Sequence, residues 1–185
     1  MNPCQERTSI ASRRWLLQLC GLHLIVTLLQ HGIYWRLLPE RVATHFGADG
    51  VPNDWMNRTP ATLVLGGFQL VFPLVLLSVV RLLKWIPNGL INIPHREYWL
   101  ATERREASLA WLEGPMSSIA GLTAVLMVTT SHLTFRANMQ SGRLEEIPFF
   151  VCLILYLAAT FRLVFRILRR FGTVLPSPGE KIQHH

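Results

Sequence analysis

Cysteine and charge are both scarce in this sequence. Of its 185 residues only three are cysteine, and 16% are charged. The cysteines, Cys4, Cys20 and Cys152, have neither the spacing of a metal site nor that of a disulfide framework. Cys20 and Cys152 are moreover expected near opposite faces of a membrane. We therefore expect unpaired thiols.

Catalytic signatures are also missing. The apolar segments contain no pair of carboxylates, and the chain has no glycine-rich phosphate loop and no metalloprotease motif. Ser131 and His132 are neighbours in sequence, but adjacent residues on a helix point in different directions. A nucleophile and its base must lie within hydrogen-bond reach of each other. These absences predict a protein that is not an enzyme.

Long stretches without charge are what the sequence has instead. Residues 15–35, 61–80, 114–135 and 147–161 contain no charged side chain. A helix of about 20 apolar residues crosses the roughly 30 Å hydrocarbon core of a bilayer. The fourth stretch is shorter, but arginines at its end can extend their charged heads to the interface. The pattern predicts an all-α integral membrane protein with four transmembrane helices, at about 14–38, 59–85, 115–135 and 148–169.

The segments between these helices complete the predicted organisation. The four-helix membrane domain covers 14–171, with a cytoplasmic N-terminus at 1–13 and a mobile cytoplasmic tail at 172–185. A structured outer loop covers 39–58. An inner segment covers 86–114, where apolar and charged residues alternate after Pro94 as in an amphipathic helix on a membrane surface.

Basic residues are distributed unequally between the two sides of the predicted bundle. Thirteen of the 18 lysines and arginines lie before the first helix, between the second and third, or near the end of the fourth and beyond. Since basic loops stay in the cytoplasm, both termini are expected there, and the outer loops are expected to be periplasmic or extracellular. The predicted location is the bacterial cytoplasmic (inner) membrane. This asymmetry also accounts for the net charge of +7, so nucleic acid is not an expected partner.

The outer loop carries the pattern L-P-x-x-V-x-x-H-F-x-x-x-G-x-P-x-x-W. Its fixed positions are Leu38, Pro39, Val42, His45, Phe46, Gly50, Pro52 and Trp55. Residues 92–99 fit a second pattern, N-I-P-x-x-x-Y-W. Through both patterns, the chain resembles over roughly residues 15–135 a family of bacterial membrane domains of unknown function, as in the N-terminal part of SdpI-type immunity and signalling proteins. The resemblance implies a membrane location and a role in toxin immunity or signal sensing, and it supplies no catalytic residues.

Side chains of the outer loop are the candidate partner-binding residues. Its prolines and glycines are explained by turn geometry, which does not account for the histidine and the aromatic residues held among them. The candidates are His45, Phe46, Asp49, Asp54 and Trp55. The alternative for His45 is a structural hydrogen bond within the loop.

Two further groups of side chains suggest ligands. His31 and His132 are expected near the outer ends of their helices, where together with His45 they could form a cluster that holds a metal or haem. No cofactor is otherwise expected. Arg162, Arg166 and Arg169 follow one another at helical spacing, so they are expected to contact the headgroups of membrane lipid.

Three functions are compatible with these observations. The favoured hypothesis is a non-catalytic membrane protein of sensor, immunity or regulatory type. It would recognise another membrane protein or an extracytoplasmic peptide through its outer loop. The alternatives are an accessory structural subunit of a larger membrane complex and a small transporter or metal or haem carrier.

Overall fold

The chain is largely helical. The computed structural model describes residues 3–174, and it describes side chains from residue 17 onward except that of Val80. The predicted mobile tail therefore lies outside the described residues from position 175. In chain order the elements are α1 (Pro3–Leu37), β1 (Arg41–Phe46), β2 (Pro52–Asn57), α2 (Arg58–Leu83), a 3-10 turn (Asn88–Leu90), α3 (Arg96–Trp99), α4 (Arg105–Met139) and α5 (Glu146–Phe171).

Among the described residues, four helices are long and apolar enough to cross a membrane, namely α1, α2, α4 and α5. Their outward faces carry exposed leucine, isoleucine, valine and phenylalanine side chains along much of their length. Such a surface is typical of helices that contact lipid. To this extent the prediction of four membrane-length helices is confirmed.

Helix α4 is central to the bundle. It packs most extensively against α2 and also contacts α5, while α1 packs against both α2 and α4. The strands join α1 to α2, and they contact the last turn of α4 and the residues just before α5. We call this end of the bundle the hairpin end, and the opposite end the Trp99 end.

The all-α prediction is wrong for the segment that joins α1 to α2. β1 and β2 form an antiparallel hairpin in which Val42 pairs with Met56 and Ala43 pairs with Trp55. Gly50 in its turn has a φ of 72°, which glycine adopts without steric cost. Because an isolated two-stranded hairpin is only marginally stable, the strands depend on contacts with the helices, and these contacts are not visible in the local sequence.

The prediction of a surface helix within residues 86–114 is also wrong. Residues 105–114 are the first turns of α4, which runs through Pro115 instead of beginning there. Proline ordinarily breaks a helix because it lacks an N–H and its ring crowds the preceding turn. Here Trp111 and Leu112 anchor that turn in an apolar cluster. Helix α1 also begins before the predicted residue 14, since it is helical from Pro3, while the cytoplasmic location of residues 1–13 stays a prediction.

Residues between α2 and α4 fold into a cap over the Trp99 end. Trp99 is only 4% exposed, and its Nε1–H donates to the backbone oxygen of Phe171 at 3.0 Å. The Arg105 guanidinium donates to the backbone oxygens of Leu83, at 3.0 Å, and Ile86, at 2.9 Å. A cation thus satisfies carbonyl groups that the end of α2 leaves free.

The side chain of Asn138 attaches the hairpin to α4. Its oxygen accepts from the Ala43 N–H at 2.7 Å, and its amide donates to the Ala43 carbonyl at 2.9 Å. The same amide donates to Thr134 of its own helix at 2.8 Å. One asparagine therefore pairs with β1 as a neighbouring strand would, and it ties that strand to the helix.

We expect Asn138→Ala to lower the free energy of unfolding by about 1–3 kcal/mol, because both polar groups of the buried Ala43 backbone lose their partner. Unfolding of the purified protein in mild detergent measures this change. The matched control is Asn57→Ala, because Asn57 is exposed and makes no side-chain cap bond. Equal stability of the two variants would contradict the role given to Asn138.

Candidate recognition site at the hairpin end

The loop between α4 and α5 docks against the hairpin turn. The Leu144 N–H donates to the backbone oxygen of Gly50 at 2.9 Å, and an Arg143 Nη2–H donates to the backbone oxygen of Asp49 at 3.0 Å. A Cβ at position 50 would lie 2.6 Å from the Leu144 oxygen. Glycine is therefore required here by close approach as well as by its positive φ.

Apolar packing fixes the other end of β1. Val42 is fully buried in a cluster with Leu38, Ala61 and Phe135, which come from the end of α1, the start of α2 and the end of α4. The Arg58 guanidinium donates to the Leu38 oxygen at 3.1 Å and so caps the end of α1. The hairpin is thus held to the bundle by packing and by hydrogen bonds.

A cleft of about 300 Å³ opens between the hairpin, α4 and the start of α5. It is lined by Thr44, His45, Phe46, Gly47, Ala48, Thr130, Thr134, Leu144, Glu146, Phe149 and Phe150. The rings of Phe149 and Phe150 meet edge to face with their centroids 5.4 Å apart.

Glu146 gives this cleft a negative charge. Among the described residues its carboxylate makes no hydrogen bond or ion pair, whereas the adjacent Glu145 pairs with Arg136 at 3.0 Å. Aromatic faces beside a carboxylate favour a cation that also offers apolar surface. The cleft can therefore bind an amine or a basic side chain.

The structure separates the five predicted partner-binding residues. His45 and Phe46 line the cleft, and His45 Nδ1 is hydrogen-bonded to the Asn53 oxygen across the hairpin. Asp49 accepts from the Val51 N–H at 3.1 Å, and Asp54 accepts from the Trp55 N–H at 2.8 Å. Trp55 is 44% exposed and lies on β2, away from the cleft lining. Glu146, Phe149 and Phe150, which sequence reasoning missed, come from an α5 that looks uniformly apolar.

The three histidines of the proposed metal or haem cluster do not come together. His31 bonds to Gln69 at 3.2 Å, His132 bonds to the Tyr34 hydroxyl at 2.8 Å, and His45 bonds to Asn53. Within the described part of the chain, no group of three or more histidine, cysteine, aspartate or glutamate side chains could hold a metal ion. The prediction that His31, His45 and His132 meet is wrong.

Gln69 connects the helices inside the bundle. Its side chain is 1% exposed, and its amide donates to Thr27 at 2.8 Å and to Gln30 at 3.0 Å. Its oxygen faces His31 Nε2, and its backbone oxygen lies 2.9 Å from His23 Nε2. Four polar residues of α1 thus converge on one glutamine of α2. The sequence signal was a lone amide in a charge-free run.

The predicted lipid-contacting arginines differ in their surroundings. Arg162, Arg166 and Arg169 are all exposed, and only Arg166 of the three has its guanidinium near an aromatic ring, 5.6 Å from the Trp111 centroid, among the described residues. Arg170, which the sequence pattern did not single out, lies 4.7 Å from the Trp99 ring. Stacking on aromatic faces gives Arg166 and Arg170 a structural role at the Trp99 end.

Comparison with known proteins finds a similarity for one part of the chain. Residues 22–70 match a family model described as Domain of unknown function (DUF1648). The match covers the second half of α1, the hairpin and the first half of α2. No curated protein and no solved structure matches the chain. The resemblance to SdpI-type proteins therefore stays a prediction.

We expect Gln69→Leu to lower the free energy of unfolding by about 2 kcal/mol, because buried groups of Thr27, Gln30 and His31 lose a partner. Reversible unfolding of the protein in mixed micelles measures the loss. Gln18→Leu is the matched control, since Gln18 is exposed on α1. If the two variants were equally stable, Gln69 would not be the centre of the network.

Proposed function

We propose that this chain is a non-catalytic membrane protein of sensor, immunity or regulatory type that recognises a partner at the hairpin-end cleft. The observation that carries the proposal is the unpaired Glu146 carboxylate beside Phe46, Phe149 and Phe150 in a cleft whose walls are fixed to one another. The partner is an extracytoplasmic peptide or a loop of another membrane protein that presents a basic side chain next to apolar surface.

Charge supports an orientation with the hairpin end outside a bacterial cytoplasmic membrane. The five arginines predicted to lie on that side include Arg58, Arg136 and Arg143, each of which bonds to a neighbouring segment. These three arginines have structural contacts that account for their position at the hairpin end. Most of the other basic residues lie on the opposite side, and an excess of basic residues is typical of cytoplasmic segments.

An accessory subunit of a membrane complex is the second candidate. The observation that favours it is α5, whose apolar stretch of 18 residues has no buried residue and could pack against another membrane protein. A carrier that uses His31, His45 and His132 has less support, because the three imidazoles bond to three separate partners.

The test uses an acetylated tetrapeptide amide, Gly-Lys-Phe-Gly, and the protein in nanodiscs of phosphatidylcholine. We expect Glu146→Gln to weaken binding about fivefold, the factor that corresponds to about 1 kcal/mol for a partly exposed ion pair. Calorimetry or fluorescence anisotropy gives the Kd. A peptide with glutamate in place of lysine is expected not to bind.

Asp54→Asn is the matched control, because it removes a hairpin carboxylate that does not line the cleft and keeps an oxygen for the Trp55 N–H. Its Kd is expected within twofold of the unsubstituted protein. Equal effects of the two substitutions would contradict recognition at the cleft. In membrane vesicles, a photoreactive form of the peptide should label the protein only when the vesicles are right-side-out, and labelling confined to inverted vesicles would contradict the orientation.

A further inference from the structure

A second cleft, of about 290 Å³, lies between α1, α2 and α4 on the side of the bundle nearer the Trp99 end. Small residues leave the space between the helices unfilled there. Gly21 of α1 and Gly121 and Ala124 of α4 are among its lining residues, and no atom lies within 4 Å of a Cβ built at either glycine. The cleft is therefore real space between helices.

The lining of this cleft is almost wholly apolar. Leu70, Leu74 and Leu77 supply its α2 wall. The ring of His23 reaches the lining, but its Nε2 is already bonded to the Gln69 backbone oxygen at 2.9 Å. A ligand here would find hydrocarbon surface and few free polar groups, which suits an alkyl chain.

A positive charge next to this apolar cleft would favour a ligand that joins an alkyl chain to an anionic group. Arg81 lies one turn beyond Leu77 on the same face of α2, since positions 70, 74, 77 and 81 follow at helical spacing. In the described structure the Arg81 guanidinium has no hydrogen bond or ion pair. The neighbouring Lys84 is neutralised by Glu113 at 2.8 Å. One positive charge is thus left without a counter-ion.

We propose that this cleft binds one acyl chain of an anionic phospholipid, with the phosphate of that lipid held by Arg81. A gap between helices that opens to a bilayer is filled by the acyl chains of surrounding lipids. A cation placed where the acyl chain leaves the gap favours a lipid with an anionic headgroup. The proposal does not depend on the function proposed for the hairpin end. In the orientation proposed above, the lipid would come from the cytoplasmic leaflet, where anionic lipids are abundant.

Native mass spectrometry tests the acyl-chain part of the proposal. Protein in mild detergent is mixed with phosphatidylglycerol or with phosphatidylcholine of the same chains. We expect the unsubstituted protein to retain one phosphatidylglycerol, and Gly121→Leu to lower that retention at least tenfold by filling the cleft. Gly67→Leu is the matched control, because position 67 is also exposed and open but lies outside the cleft. Equal retention in the two variants would overturn the proposal.

The headgroup part is tested by Arg81→Gln. We expect it to abolish a preference of at least fivefold for phosphatidylglycerol over phosphatidylcholine, while phosphatidylcholine is retained as before. Arg41→Gln removes an exposed arginine from β1 at the hairpin end instead, and it should leave the preference intact. A preference that survives Arg81→Gln, or that falls equally in both variants, would overturn the role of Arg81.

A measurement without any cleft-filling substitution guards against misfolding of Gly121→Leu. Cys20 also lines the cleft, and Cys4 and Cys152 can be replaced by serine. We expect phosphatidylglycerol to slow alkylation of Cys20 by an apolar maleimide at least fivefold, and glycerol phosphate alone to have no effect. An unchanged rate would overturn the proposal, as would a dimer that covers the cleft and retains no lipid.

Discussion

The double hydrogen bond between Asn138 and the backbone of Ala43 is the contact on which the hairpin end depends. A two-stranded hairpin has too few contacts of its own to hold a fixed shape. The asparagine amide supplies the pairing that a third strand would give, and it does so from the last turn of α4. Val42 packing and the Gly50–Leu144 bond then fix the hairpin against both α4 and α5. These contacts hold the hairpin, α4 and the start of α5 in fixed positions, and the cleft lies between them.

A second constraint applies to the helices between the hairpin end and the Trp99 end. Polar groups of membrane-length helices must find hydrogen-bond partners within the protein, because the hydrocarbon core of a bilayer offers none. The Gln69 side chain meets this requirement by bonding to Thr27, Gln30 and His31 of α1, and Gln30 in turn donates to the Val128 oxygen of α4 at 2.9 Å. Such bonds define which faces of α1, α2 and α4 meet. Toward the Trp99 end, small residues stand in place of these polar contacts, and an apolar cleft remains between the helices.

Sequence reasoning succeeded where a single segment carries the signal. Charge-free runs identified the four membrane-length helices. It failed where a distant residue decides the structure. The hairpin depends on Asn138, 95 positions from Ala43, and the passage of α4 through Pro115 depends on the cluster around Trp99. For the same reason His45 and Phe46 could be proposed as candidates from their own loop, whereas the position of Glu146 beside them in the cleft could not be predicted.

The distance between the hairpin and the middle of α4 tests the central claim most directly. Spin labels at Asp54→Cys and Val125→Cys, with the native cysteines replaced by serine, report it by pulsed electron resonance in nanodiscs. Both positions are exposed, so the labels need not disturb packing. A hairpin fixed to α4 predicts a single narrow distance distribution, which Asn138→Ala broadens. A broad or multi-peaked distribution in the protein with Asn138 in place would contradict the account.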